Sequence, residues 1–158
     1  MSYFIKKILL FFDFFHKKKI IRHLKNLNSK NPIKVIFDVG AHEGESILLF
    51  LNNFEINQIY SFEPSEITYK KLLKNSENFR KKFKKCFIHL ENFAIGCDDQ
   101  NIEKNYLNES SSSTLKNLNT SSNYFKKKER YFGKLINKKE NVKQVSFNEY
   151  LNKKKIDK

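Results

Sequence analysis

Val35-Ile36-Phe37-Asp38-Val39-Gly40-Ala41-His42-Glu43-Gly44-Glu45 sets the architecture of this 158-residue chain. A run of strand-favouring apolar residues meets an aspartate, turns through Gly-x-x-x-Gly, and continues into Ile47, Leu48, Phe50 and Leu51 at helical spacing. Tyr60-Ser61-Phe62-Glu63-Pro64 then reads as a second strand closed by a carboxylate. Asp38 and Glu63 lie 25 residues apart, the span of one strand–helix–strand unit. A carboxylate there accepts two hydrogen bonds from ribose hydroxyls, so the unit is built to hold a nucleoside, and a nucleotide-like cofactor is expected.

Outward from this unit, Ile33 to Val39 is the near-continuous apolar run of a strand buried on both faces of a parallel sheet. The pattern predicts a helix over Gly44–Asn53 and a strand over Gln58–Phe62. A second helix, capped by Ser65, runs to about Asn78 with Tyr69, Leu72 and Leu73 inward. A basic turn, Arg80–Lys85, leads to a third strand, Cys86–Leu90, which Asn92–Gly96 closes; Ile102–Leu107 reads as an extra strand. Asn108–Asn123 is Ser/Asn/Thr-rich and predicts an exposed loop. Tyr124–Lys139 predicts a weak basic helix, Val142–Phe147 a strand, and Asn148–Lys153 a short helix. Strands alternating with helices give an α/β, doubly wound, mostly parallel sheet whose ligand contacts gather at the carboxyl ends of the strands.

The first 27 residues differ from the rest: Phe4, Ile5, Ile8, Leu9, Phe12, Phe15, Ile20, Leu24 and Leu27 recur at roughly helical spacing among lysines. The uncharged run Ile8–Phe12 is too short to span a bilayer, and Asp13 breaks any signal-peptide pattern. Two readings of this amphipathic helix stand. It rests on an anionic membrane surface as a peripheral contact, or it packs its Phe face on the domain or on a partner. Asn28–Pro32 is a polar linker.

A net charge of +14 raises a nucleic-acid partner, but only Arg22, Arg80 and Arg130 among the 31 basic residues carry the fork that reads bases. A solvated Lys-rich surface accounts for the charge, and nucleic acid is not the expected partner. Cys86 and Cys97 have no metal-ligand or Cys-x-x-Cys spacing, and His16, His23, His42 and His89 are scattered. No metal is expected, and free thiols fit a reduced, cytoplasmic setting.

Chemistry separates two cofactor classes. A nicotinamide dinucleotide needs G-x-G-x-x-G so that backbone reaches a pyrophosphate, whereas here the spacing is Gly40-x-x-x-Gly44 with Glu43 between. Gly40 lets backbone approach a ligand, and Gly44 permits close packing and exposes amide groups at the helix start. S-adenosylmethionine carries a sulfonium and an ammonium that Asp38 or Glu45 would attract. Electrostatics therefore favour it over NAD.

Phe37–Glu45, Ser61-Phe62-Glu63-Pro64 and Asn92-Phe93-Ala94-Ile95-Gly96 together resemble the FkbM-type methyltransferases, class I Rossmann-like enzymes that use S-adenosylmethionine. Val145–Leu151 with Ile156-Asp157 is similar to the family's segment leading into its fourth strand. The likeness runs from about Ile33 to Ile156 and is loose over Asn101–Lys139. It implies that Asp38, Val39, Gly40, Ala41, His42, Glu43, Gly44, Glu45 and Ser46 contact the methionine moiety. It also implies that Glu63, followed by Pro64, holds the ribose, and that Asn92 to Ala94 lie near the adenine. It implies O-methyl transfer to a small hydroxylated or sugar-like acceptor, and assigns no catalytic residue. The family's next motif, Ile-Asp-x-Glu-Gly-like, lies past Lys158, so the resemblance reads the chain as a fragment holding the cofactor half. Residues 1–30 would then be a helical segment and linker. Residues 31–158 would be the N-terminal part of a Rossmann-like domain, incomplete at its C-terminus. The alternative is a non-catalytic basic module for anionic membrane or nucleic acid.

Overall fold

A computed structural model of the chain describes residues 17–107, 119–132 and 137–156. Expectations for Phe4–Phe15, for the loop residues 108–118 (Ser110–Thr114 among them) and for Asp157 lie outside the described residues.

The fold is mixed α/β. Strands β1 (Val35–Val39), β2 (Gln58–Phe62) and β3 (Phe87–Glu91) form a parallel sheet in the order β1-β2-β3. Helices α2 (Glu45–Leu51) and α3 (Glu66–Lys82) are the crossovers. Strands taken in sequence order with crossovers of one hand place both helices on the same face of the sheet. β2 carries the most buried pattern, with Ile59, Ser61 and Phe62 fully buried.

β1 corrects an expectation: Val35 and Val39 are 40% and 61% exposed, so the strand is not buried on both faces. Among the described residues it pairs only with β2, and the central position falls to β2. α3 runs four residues beyond Asn78, taking Arg80, Lys81 and Lys82 into its last turn, where cations complement the helix dipole. Its buried stripe is Thr68, Leu72, Ser76 and Phe79, and Leu73 faces outward instead of inward.

A second sheet has the order β4-β6-β5, formed by β4 (Ala94–Gly96), β5 (Gln100–Leu107) and β6 (Asn137–Ser146). β6 runs parallel to β4 and antiparallel to β5, in register from Gln100↔Gln144 to Leu107↔Asn137. The helix expected over Tyr124–Lys139 is therefore corrected: α4 is Asn123–Phe132, and Lys139 belongs to β6. Cross-strand pairing with β5 overrides the helix preference of a lysine-rich stretch. Phe147 opens α5 (Phe147–Lys154) instead of closing the strand, with Ser146 at the N-cap.

α5 covers the other face of the parallel sheet. Tyr150 packs edge-on against Phe62 at 5.1 Å, and Phe147 does the same against Phe37 at 5.1 Å. Phe93, Ile95, Val145 and Ile156 complete this cluster around Tyr60, Phe62 and Tyr150.

By compactness the chain divides into two units. One contains the described parts of Met1–Ile33 and Asn119–Leu135. It comprises helix α1 (residues 17–28) and α4, with Ile21 and Phe125 as buried side chains. The other, the described parts of Lys34–Leu118 and Ile136–Lys158, holds both sheets.

Candidate cofactor site

The register Asp38↔Ser61 and Val39↔Phe62 brings the exit of β1 beside the exit of β2. From there the chain turns through alternating left-handed residues: Gly40 at φ 82°, His42 at φ 50° and Gly44 at φ 96°. His42 is the informative one, because a side chain in that region costs energy that something else must hold. The holder is Glu63. Its Oε2 accepts the His42 amide at 3.0 Å, while Oε1 accepts the Ser65 amide at 2.9 Å. Glu63 is only 4% exposed, so both bonds are sheltered. The two places singled out in the sequence are thus joined directly.

Three further loop amides are also engaged. Gly40 and Ala41 both donate to the Phe62 carbonyl, at 2.9 and 3.0 Å, and Gly44 donates to the Ala41 carbonyl at 2.9 Å. The first amides of α2, from Glu45 to Ile47, have no side-chain cap from Gly44, the residue at its N-cap. Carboxylates also gather there: Asp38, Glu43, Glu45 and Glu63 stand on one strand edge of a chain whose net charge is +14. Such a site repels a pyrophosphate and attracts a cation.

Each acid is held differently. Asp38 Oδ2 accepts the Ser46 hydroxyl at 2.6 Å. Burial pushes the Asp38 carboxyl above its ordinary range, against the lowering effect of the Ser46 bond. Glu43 bonds Lys71 at 2.8 Å, which lowers its carboxyl, and its carbonyl accepts Asn75 Nδ2 at 2.9 Å. Glu45 reaches His42 Nδ1 at 3.2 Å. Lys71 and Asn75 were not legible as site residues; both come from α3, and only the crossover brings them to the turn.

Gly40 and Gly44 play distinct parts. A Cβ on Gly40 would meet nothing within 4 Å, so the backbone there faces open space. A Cβ on Gly44 would lie 2.7 Å from Phe79 Cε2 and 3.0 Å from Leu72 Cδ1, so that glycine serves the packing of α3. Ala41 is 1% exposed and anchors the turn, while Val39 is exposed at the strand end.

Asn92 directs Nδ2 to the Glu63 carbonyl at 2.8 Å and to the Pro64 carbonyl at 3.3 Å. It positions the segment after β2. Ala94 stands apart from the strand edge, buried in β4 opposite Gln144 in the second sheet. Glu91, at the end of β3, is absent from the sequence-derived set. It accepts the Tyr150 hydroxyl at 2.9 Å and pairs with Lys154 at 3.0 Å. Ser61 and Ser65, on either side of Glu63 in sequence, keep fully buried hydroxyl oxygens without a hydrogen-bond partner among the described residues.

The raised Asp38 carboxyl has a measurable consequence. A folded-state pKa above the ordinary 3.8 means the folded chain binds this proton more readily than the unfolded chain. Ionised Asp38 therefore lowers stability above that range, and the loss disappears as pH falls below the unfolded value. Asp38→Asn, which keeps an acceptor for Ser46, is expected to raise the thermal midpoint at pH 7. The gain should shrink as pH approaches 3.8. Thermal scans between pH 4 and 8 check this, and a lower midpoint at pH 7 would contradict it.

Compared with known proteins, the chain matches no family model, no curated protein and no solved structure.

Proposed function

We propose that the chain is an S-adenosylmethionine-binding domain of methyltransferase type, serving O-methyl transfer to a small hydroxylated or sugar-like acceptor. Reading its α/β sheet as Rossmann-like belongs to the same proposal. The observation that carries it is the Glu63–His42 bond, which joins the turn after β1 to the acid after β2 at one strand edge. The donor chemistry fits: the amides of Gly40, Ala41, His42 and Gly44 are spent internally, carboxylates gather at the turn, and Gly40 opens to solvent space. A cationic, phosphate-free cofactor suits that set better than a dinucleotide.

When bound, the group supplies an electrophilic methyl on a sulfonium. The chain's residues supply positioning. Asp38 and Glu45 offer negative charge to the cationic end. Glu63 accepts the His42 and Ser65 amides and so fixes the turn against which the ribose would rest. Calorimetric titration with S-adenosylmethionine, alongside NAD, tests the reading. Saturable one-to-one binding of the former without the latter is expected. Folded protein that binds NAD, or neither, would overturn it.

A second reading concerns the unit containing α1. Ile20 and Leu27, two helical turns apart on one face, are 51% and 49% exposed, while Ile21 is buried. Lys18, Lys19, Arg22 and Lys25 surround them, and residues 17–28 contain no acid. A cationic face with exposed apolar residues fits an anionic bilayer surface. Among the described residues, no helix is long and apolar enough to cross a membrane. Phosphatidylglycerol vesicles are expected to sediment the chain, and phosphatidylcholine vesicles not. Ile20→Glu/Leu27→Glu should reduce that binding at least tenfold; an unchanged double variant removes this reading.

A further inference from the structure

The amino ends of the same three strands border a second feature, at the opposite edge from the cofactor site. A cavity of ≈ 480 Å³ opens there, within the range of about 300–1,000 Å³ that houses small organic ligands. Its floor is apolar: Leu51, Phe54 and Ile56 are buried at 7%, 8% and 4% exposure, and Phe83 adds a ring. Its rim carries Lys34, Lys82, Lys84 and Lys85, against one acid, Glu55.

The ordinary explanation for lysines here is that they offset helix C-termini, because α2 and α3 both end at this cavity. Hydrogen bonds already take part of that role, and the charges do not balance. Asn52 and Asn53 side chains cap the Leu48 and Leu49 carbonyls at 2.8 Å each, and the Phe54 amide caps Phe50 at 2.9 Å. The Phe83 amide caps Phe79 at 2.8 Å. Lys34 reaches Glu55, and Lys82 reaches Asn52 at 3.0 Å. Lys84 and Lys85 have no hydrogen-bond or ion-pair partner among the described residues. Two helix ends contribute together about one negative charge. With Glu55 that makes about two, so four lysines leave an excess of about two positive charges over an apolar floor.

We propose that this cavity binds a small organic anion with an apolar tail, such as a medium-chain carboxylate or alkyl phosphate. The lysines take the head, and Leu51, Phe54, Ile56 and Phe83 take the tail. This site is independent of the cofactor reading and survives its failure.

The test is calorimetric titration of the full chain with monomeric dodecyl phosphate, with dodecyl maltoside as the neutral-headed control. One saturable site is expected for the phosphate, with at least tenfold weaker binding of the maltoside. Lys84→Gln/Lys85→Gln, confirmed folded by circular dichroism, should weaken phosphate binding tenfold or more. Cys86 lines the cavity whereas Cys97 is exposed elsewhere, which gives an internal readout on the unmutated chain. Burial raises the Cys86 thiol pKa, so alkylation is best followed at alkaline pH. Dodecyl phosphate should slow alkylation of Cys86 several-fold and leave Cys97 unchanged. Equal binding of both amphiphiles, an unaffected lysine variant, or equal protection of the two thiols would overturn the proposal.

Discussion

Gly44→Ala should destabilise the domain by about 2–5 kcal/mol, the sum of about 1–2 for a side chain in left-handed backbone and about 1–3 for overpacking. Both contributions rest on observed geometry. The φ of 96° disfavours any L side chain, and the added methyl would press 2.7 Å from Phe79 Cε2 and 3.0 Å from Leu72 Cδ1. Those atoms belong to the buried stripe of α3, so neither ring nor isobutyl group can move away cheaply. Gly40→Ala is the matched control. It carries a similar φ of 82° with open space around the new Cβ, so only the backbone cost of about 1–2 kcal/mol applies. Urea unfolding of the two variants separates packing from strain. Equal losses would mean that α3 does not press on the turn.

The second large effect is expected at Glu63. Its two sheltered amide bonds are of the charge-assisted kind, each contributing about 1.5–3 kcal/mol. Glu63→Ala removes both and leaves the His42 and Ser65 amides without their acceptor. A loss of about 3 kcal/mol or more is expected, together with release of the His42 backbone from its left-handed conformation. Glu63→Gln keeps one acceptor oxygen and turns a donor toward the other amide, so it should lose roughly half as much. Denaturant midpoints for the two variants, read beside S-adenosylmethionine affinity, distinguish the roles of this acid. Lost affinity in a Gln variant that stays folded assigns the carboxylate to the ligand as well as to the turn. Unchanged stability in the Ala variant would refute its part in holding the loop.

These residues also show how far sequence reading reached. β2 was legible to its end residues, because Gln58–Phe62 is a short β-rich run between turn signals. The Gly-x-x-x-Gly turn and the acid after β2 were legible from spacing alone. Their direct bond was not, since it depends on His42 adopting positive φ, a conformation more often taken by glycine. The inward face of α3 was misread at Leu73 because the adjacent pair Leu72-Leu73 fits two helical faces, and only the packing against Gly44 selects Leu72. The start of β6, Asn137–Lys139, was read as helix because it continues a lysine-rich stretch and its strand character comes from β5, 30 or more residues earlier. Likewise the α3 N-terminus takes a carboxylate from Glu140, whose Oε1 accepts the Glu66 amide at 2.8 Å. No local pattern announces a cap from 74 residues away.

Asn92 gains a structural role that no local pattern announces. The family resemblance puts it near an adenine, and the structure adds that its side chain bonds the carbonyls of Glu63 and Pro64. A residue that fixes the segment after β2 leaves the same trace in a sequence motif as one that touches a ligand.

Amide hydrogen exchange, followed residue by residue with and without saturating S-adenosylmethionine, examines the clasp of turn and acid most directly. Slowed exchange confined to residues 40–46 and 63–65 is the expected result, because a ligand held there shields both segments at once. Binding that protects only other parts of the chain, or leaves both segments exchanging as before, would contradict the proposed site.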